Sequence, residues 1–128
     1  MITAKQASEI CNRIFDADST VYYLAFIDPM GELIFESLRR SVPEEVSRLT
    51  PTNQERLSYG AQAAILSNMF KMPERLLGEL HYVHLAYQTN SLLVVSPSSR
   101  AGTLVLLISK SADERSIVRR VLELLDSF

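Results

Sequence analysis

The two histidines have the clearest capacity for chemistry in this sequence. His81 and His84 lie three positions apart in a run from Leu80 to Gln88 that is apolar on both alternating faces. That pattern predicts a β-strand, on which positions 81 and 84 point to opposite faces, so the two imidazoles are not expected to bind one metal ion. No Gly-x-Ser-x-Gly motif and no glycine-rich phosphate loop accompanies them. We therefore predict no catalytic residue, no cofactor and no metal site.

The single cysteine is the other reactive side chain. Cys11 falls on the apolar side of the first predicted helix, where a thiol is usually a small core residue, since a reactive thiol needs an exposed and cationic setting. One cysteine forms no internal disulfide. Together with a start that does not read as a signal segment, this favours a reducing, cytoplasmic location.

Two arginine doublets could recognise an acidic partner. Arg39-Arg40 and Arg119-Arg120 could make planar, bidentate contacts with carboxylates. The alternative, which we favour, is that both doublets belong to solvated faces of the protein.

Composition limits the class of protein. The 128 residues are 47% hydrophobic and 22% charged, which predicts one folded domain, 1–128, instead of a disordered chain. Thirteen basic residues against fifteen acidic ones give a formal charge of −2. This balance disfavours nucleic-acid binding, and no uncharged stretch is apolar enough to predict a membrane span.

The first third of the chain predicts a helix and a β-hairpin. Thr3 and Gln6 have capping-box spacing, and apolar residues recur at three and four positions, which predicts a helix from Thr3 to about Ala17. Val21–Ile27 is apolar on both faces and predicts an interior strand. Asp28-Pro29-Met30-Gly31 has the residue order of a type I turn, so 32–38 should return as a second strand nearer the sheet edge.

The remaining elements are a long helix, three strands and a closing helix. After a surface connection at 39–50, Thr50-Pro51, or Thr52 with Glu55, can start a helix that Pro73 should end near residue 71 or 72; we call residues 50–72 the central helix. Strands are predicted at 80–88, 92–95 and 103–109. The last helix should begin with a capping box between Ser111 and Glu114. The order α-β-β-α-β-β-β-α predicts an α+β fold with helices on both faces of an antiparallel sheet.

The predicted central helix has two apolar faces. One sheet can cover one of them, so the second predicts contact with another molecule, and self-association into a homodimer is the simplest form. The alternative is a helix buried within its own domain, with Val46 and Leu49 over the second face. The first face comprises Leu57, Ala61, Ala64, Ile65 and Met72, and the second comprises Tyr59, Ala63, Leu66 and Phe70.

Element order, the Asp28-x-x-Gly31 turn, the central helix, the last strand through Leu104–Ile108 and the amphipathic closing helix resemble the roadblock dynein-light-chain family. The resemblance runs from about Thr3 to Phe128. It implies a profilin-like, five-stranded antiparallel sheet. The chain also resembles a group of uncharacterised archaeal proteins of similar length.

Resemblance to roadblock proteins further implies a non-enzymatic homodimer that binds or regulates a small Ras-like GTPase. Its dimers would form through the second helix and the third strand. The connection at 39–50 departs from the compact family pattern. A profilin-like or PAS-like domain that senses a small ligand is the alternative function. The interface residues implied here are Tyr59, Ala63, Leu66, Phe70, Tyr82, His84 and Tyr87.

Overall fold

The computed structural model describes residues 2–28, 30–39, 74–78, 80–98 and 102–127. The predicted central helix and nearly all of the connection before it lie outside these residues. In chain order, the described elements are α1 (Ala4–Ala17), β1 (Val21–Ile27), β2 (Leu33–Leu38), α2 (Glu74–Leu77), β3 (Tyr82–Ala86), β4 (Asn90–Ser98), β5 (Gly102–Ser109) and α3 (Glu114–Asp126).

Helix α1 begins at the predicted capping box. The Thr3 hydroxyl accepts a hydrogen bond from the Gln6 backbone N–H at 3.1 Å, and the Thr3 N–H donates to the Gln6 side-chain oxygen at 2.9 Å. These two bonds satisfy backbone groups that a helix start leaves without partners. The residues of α1 buried in the core are Ala7, Ile10, Cys11 and Ile14, which recur at three and four positions as the sequence predicts.

The five described strands form one antiparallel sheet in the order β2-β1-β5-β4-β3. This confirms the predicted α+β class and the predicted antiparallel sheet. β1 lies between β2 and β5, as its two apolar faces require, and β2 is an edge strand. Within the described residues β3 is the other edge.

The sheet has two differently covered faces. The first face packs against α1 and α3, and its buried side chains include Phe26, Leu93 and Leu106. The second face carries a smaller buried cluster that includes Tyr23 and Val105. Residues alternate between the faces along each strand, so the apolar character of β1 and β5 on both sides follows from burial on both sides.

The turn between β1 and β2 is held by one aspartate. The Gly31 N–H donates to the Asp28 carbonyl at 2.9 Å, closing the turn that the residue order predicts. The Asp28 carboxylate also accepts from the backbone N–H groups of Met30 and Glu32, at 2.9 and 2.8 Å. Gly31 has a φ of 86°, a region that glycine adopts without steric cost.

Several predicted boundaries are wrong. The third strand is shorter than 80–88, whereas β4 extends on both sides of 92–95. Pairing explains both differences, because β4 is bonded to a strand on each side and β3, among the described residues, on one side only. The short helix α2 was not predicted, since Pro73 was expected to end helical structure.

The predicted capping box of the last helix is also wrong. Helix α3 begins two residues later than the Ser111 cap requires, at Glu114, and the Asp113 carboxylate accepts from the Ser116 N–H at 3.3 Å. The Ser111 hydroxyl instead lies 2.9 Å from that of Ser109. Helix α3 is amphipathic as predicted and buries Ile117, Val118, Val121 and Leu125 in the core.

Candidate functional site

Strand β3 is the candidate site, because its outer edge has no strand partner among the described residues. It pairs on its inner side with β4, in unbroken register from Tyr82 opposite Val95 to Ala86 opposite Ser91. The outer side therefore presents backbone N–H and C=O groups in the order that another strand could bind.

The composition of β3 gives this edge little protection. Natural sheet edges are usually blocked by lysine, proline, a charged side chain pointing inward or a bulge. β3 reads Tyr-Val-His-Leu-Ala and contains neither proline nor a formal charge, and its pairing with β4 has no register shift. An unprotected edge of this kind is suited to pairing with another chain.

The three predicted interface residues near β3 do not share a face. Tyr82 and His84 stand opposite Val95 and Leu93 and so belong to the first face, where Tyr82 packs partly against the main core. Tyr87 follows the strand with the opposite alternation, and 57% of it is exposed. The structure thus brings Tyr82 and His84 together, separate from Tyr87.

His84 contacts a carboxylate that the sequence did not connect with it. Its Nδ1 lies 2.7 Å from Oε2 of Glu114 in the first turn of α3. Oε2 is itself shielded from solvent, and the angles of the contact fall outside hydrogen-bond geometry, so we describe it as an ion-pair distance without a hydrogen bond. Thirty positions separate the two residues, and we expected Glu114 to turn back toward Ser111, so no local pattern indicated this contact.

The remaining predicted interface residues, Tyr59, Ala63, Leu66 and Phe70, lie outside the described residues. They stay predictions. On the second face of the sheet, the Tyr23 hydroxyl donates a part-buried hydrogen bond to Oε2 of Glu36 on the neighbouring strand at 2.5 Å. Tyr23 is 4% exposed, so this charge-assisted bond satisfies a phenol within the apolar cluster of that face.

Arg39 has a structural role, which corrects the expectation of a solvated doublet. Its Nε donates to the Val21 carbonyl at 2.8 Å, and its Nη2 donates to the carbonyls of Phe15 and Asp18 at 2.8 and 2.5 Å. The guanidinium lies 4.8 Å from the centroid of the Phe15 ring. These contacts join the end of β2 to the end of α1 and the start of β1.

Cys11 occupies the core position that its pattern predicts. It is fully buried, and burial raises the pKa of its thiol to about 12 because the thiolate would lose its hydration. The described part of the chain contains no group of three or more metal-binding side chains, and none of its helices combines the length and apolarity needed to cross a bilayer.

No family model matches this sequence, and no curated protein sequence does either. Solved structures do match. MglB from Myxococcus xanthus has a TM-score of 0.70 at 17% identity, over 96% of this chain and 84% of that one. A Roadblock/LC7 domain from Streptomyces avermitilis has a TM-score of 0.66 at 13% identity, over 91% of this chain and 88% of that one. The fold is roadblock-like.

A profilin shares the roadblock-like fold at lower similarity. LokiProfilin1, solved in complex with rabbit actin, has a TM-score of 0.57 at 11% identity and covers 98% of this chain and 95% of that one. The predicted roadblock-like and profilin-like architecture is therefore confirmed as a fold. The resemblance to uncharacterised archaeal proteins stays a prediction.

Proposed function

We propose that this chain is a non-enzymatic homodimeric platform that assembles through the edge of β3 and the central helix. The observation that carries the proposal is the unprotected edge: five residues without proline or formal charge, with one side unpaired among the described residues. Two such edges satisfy each other's backbone groups when a two-fold axis relates them, and a two-fold contact needs only one self-complementary surface.

Side chains support the same pairing. Val83 and Leu85 are half-buried on the second face, and Tyr87 is largely exposed just beyond the strand. The predicted apolar side of the central helix, with Tyr59, Ala63, Leu66 and Phe70, would add a hydrophobic centre to the polar contacts of a strand edge.

Light scattering of the purified chain tests this assembly. At about 50 µM we expect a mass near twice 14.4 kDa, because mass action populates a homodimer at this concentration.

Three variants refine this test. Phe70→Asp should remain folded and run as a monomer, and Ala86→Lys should weaken the dimer by placing a charge on the edge. Gln88→Lys, which adds the same charge at an exposed residue beyond β3, should not. A monomeric wild type would contradict the proposal, as would equal loss of helicity and assembly in Phe70→Asp.

The partner we propose is a small Ras-like GTPase in a reducing, cytoplasmic compartment. This part rests on the resemblance to roadblock proteins and on the roadblock-like fold. Affinity purification from the native cell, followed by titration of the recovered GTPase against the purified chain, tests it. We expect direct binding that depends on whether GTP or GDP is bound to the GTPase.

The alternative function, a small-ligand sensory domain, has less support. The profilin that shares this fold was solved with another protein, actin, which favours a protein-binding surface over an enclosed ligand.

A further inference from the structure

Two adjacent leucines on α2 are almost fully exposed in one copy of the chain. Leu76 is 90% exposed and Leu77 is 83% exposed. Helix α2 is followed by Gly78, whose φ is 85°, and a Cβ added there would meet nothing within 4 Å, so the backbone after the two leucines has open space beside it. Isolated exposed apolar residues are common on protein surfaces, whereas contiguous ones form patches that mark contact with another molecule.

The exposed apolar residues concentrate around β3. Among the described residues, five large apolar side chains are exposed, and three of them lie within six positions of this strand. Leu76 and Leu77 precede it, and Tyr87 follows it with 57% of its surface exposed. The unprotected edge of β3 therefore has exposed apolar side chains in the chain segments at both of its ends.

Pairing of two β3 edges would bring these segments together, an arrangement that rests on the proposed function. Two edge strands that pair across a two-fold axis perpendicular to their sheet run antiparallel. The segment before β3 in one copy and the segment after β3 in the other then lie at the same end of the paired strands. Strand direction alone gives this result, whichever residues of β3 stand opposite each other.

We infer that Leu76 and Leu77 of each copy pack against the second copy, at the end of its β3 that leads into Tyr87. A strand edge supplies backbone hydrogen bonds, and each adds little net free energy because water bonds the same groups in the monomer. Burial of apolar surface is the dominant favourable contribution in most protein associations. The leucines supply such surface beside the edge, and the two-fold axis supplies it twice, so a second copy is the occupant that fits them.

Sedimentation equilibrium of Leu76→Lys and Leu77→Lys tests the inference. Each variant should raise the dimer Kd roughly tenfold to a hundredfold, because both copies lose a buried leucine side chain. Leu77→Met, which keeps an apolar side chain of similar volume, should retain most of the affinity.

Met30→Lys is the matched control. Met30 is 86% exposed, like the leucines, and lies in the turn between β1 and β2, on the side of the sheet away from β3. Its replacement adds the same charge to the chain and should leave the Kd unchanged. An equal rise of Kd in Met30→Lys would show a general effect of charge and would overturn the inference.

Folding of the variants is measured separately, by urea denaturation below the wild-type Kd. Both leucines are exposed in the folded chain, so Leu76→Lys and Leu77→Lys should unfold at the same urea concentration as the wild type. A dimer whose Kd is the same in wild type and both lysine variants overturns this inference alone, and so does the same result with weakened binding of a GTPase. A wild type that is monomeric overturns the proposed function as well.

Discussion

Among single residues, Arg39 shows how one side chain can bind several backbone carbonyl oxygens. The end of α1, the loop after it and the start of β1 present three carbonyl oxygens, those of Phe15, Asp18 and Val21, to the Arg39 guanidinium at the end of β2. A guanidinium has donors in a fixed planar fork and can bind all three while its flat face lies on an aromatic ring. Lysine has one compact ammonium group and could not reproduce this arrangement.

Cys11 leads to a prediction about pH. Burial raises the folded-state pKa of the thiol to about 12 from an ordinary value of 9.0, so between these values the unfolded chain loses a proton that the folded chain keeps. The free energy of unfolding should therefore be unaffected by this group below pH 9 and should fall as the pH rises toward 12. Urea denaturation at about pH 8 and about pH 10.5 measures the difference.

Cys11→Ala is the control for this prediction. The variant lacks the thiol, so its loss of stability between the two pH values should be smaller than that of the wild type. A thiol reagent should also fail to modify Cys11 at pH 8 unless denaturant is present, because the folded protein holds the thiol fully buried and protonated. Rapid labelling of the folded protein would contradict the assigned burial.

At the scale of the secondary-structure elements, the hairpin between β4 and β5 depends on Gly102. Its φ is 100°, and a Cβ built there would lie 2.3 Å from the Ile27 carbonyl oxygen of β1. Alanine therefore faces both backbone strain and a collision with a paired strand, neither of which a side-chain rotation can relieve. We expect Gly102→Ala to lower the free energy of unfolding by about 2–4 kcal/mol, measured by urea denaturation.

Gly78 separates the two causes. It follows α2 with a φ of 85°, yet a Cβ there would meet nothing within 4 Å. Gly78→Ala should therefore show the backbone strain alone, about 1 kcal/mol. If both variants lost the same stability, the close approach of Gly102 to β1 would have no energetic weight.

The elements that sequence predicted well are those whose ends are encoded locally. Helix α1 has a capping box at its start and a regular apolar stripe, and β1 is a dense apolar run followed by a turn with aspartate first and glycine last. The burial of the apolar residues of α1 and β1 confirms the pattern predicted for each element. The boundaries of β1 agree residue for residue with the prediction.

Predictions failed where the deciding contact lies far away in the chain. The lengths of β3 and β4 depend on how many neighbouring strands each one has, which no window of sequence contains. Ser111 and Asp113 are both good capping residues, and the end of β5 together with the docking of α3 decides between them. The contact between His84 and Glu114 joins a strand edge to a helix start, so only the assembled sheet could indicate it.

At the scale of the whole molecule, the two edges of the sheet differ in what adjoins them. Helix α1 packs beside β2, and Arg39 at the end of that strand is bonded to the backbone of α1 and β1. Among the described residues, strand β3 has one side-chain ion pair with another element, between His84 and Glu114, and it lies on the first face of the sheet. The proposed assembly uses the edge that has fewer contacts to other elements among the described residues.

Self-association predicts that thermal stability depends on protein concentration. If the folded dimer is in equilibrium with unfolded monomers, raising the concentration from about 1 µM to about 100 µM should raise Tm by roughly 2–6 °C, because mass action favours the state with fewer particles. Differential scanning fluorimetry and circular dichroism across this range measure the shift. Phe70→Asp should melt at one temperature over the whole range, whereas Gln88→Lys should follow the wild type. A wild-type Tm that stays constant would mean that the folded unit is the monomer, and β3 would then be an edge that remains unpaired.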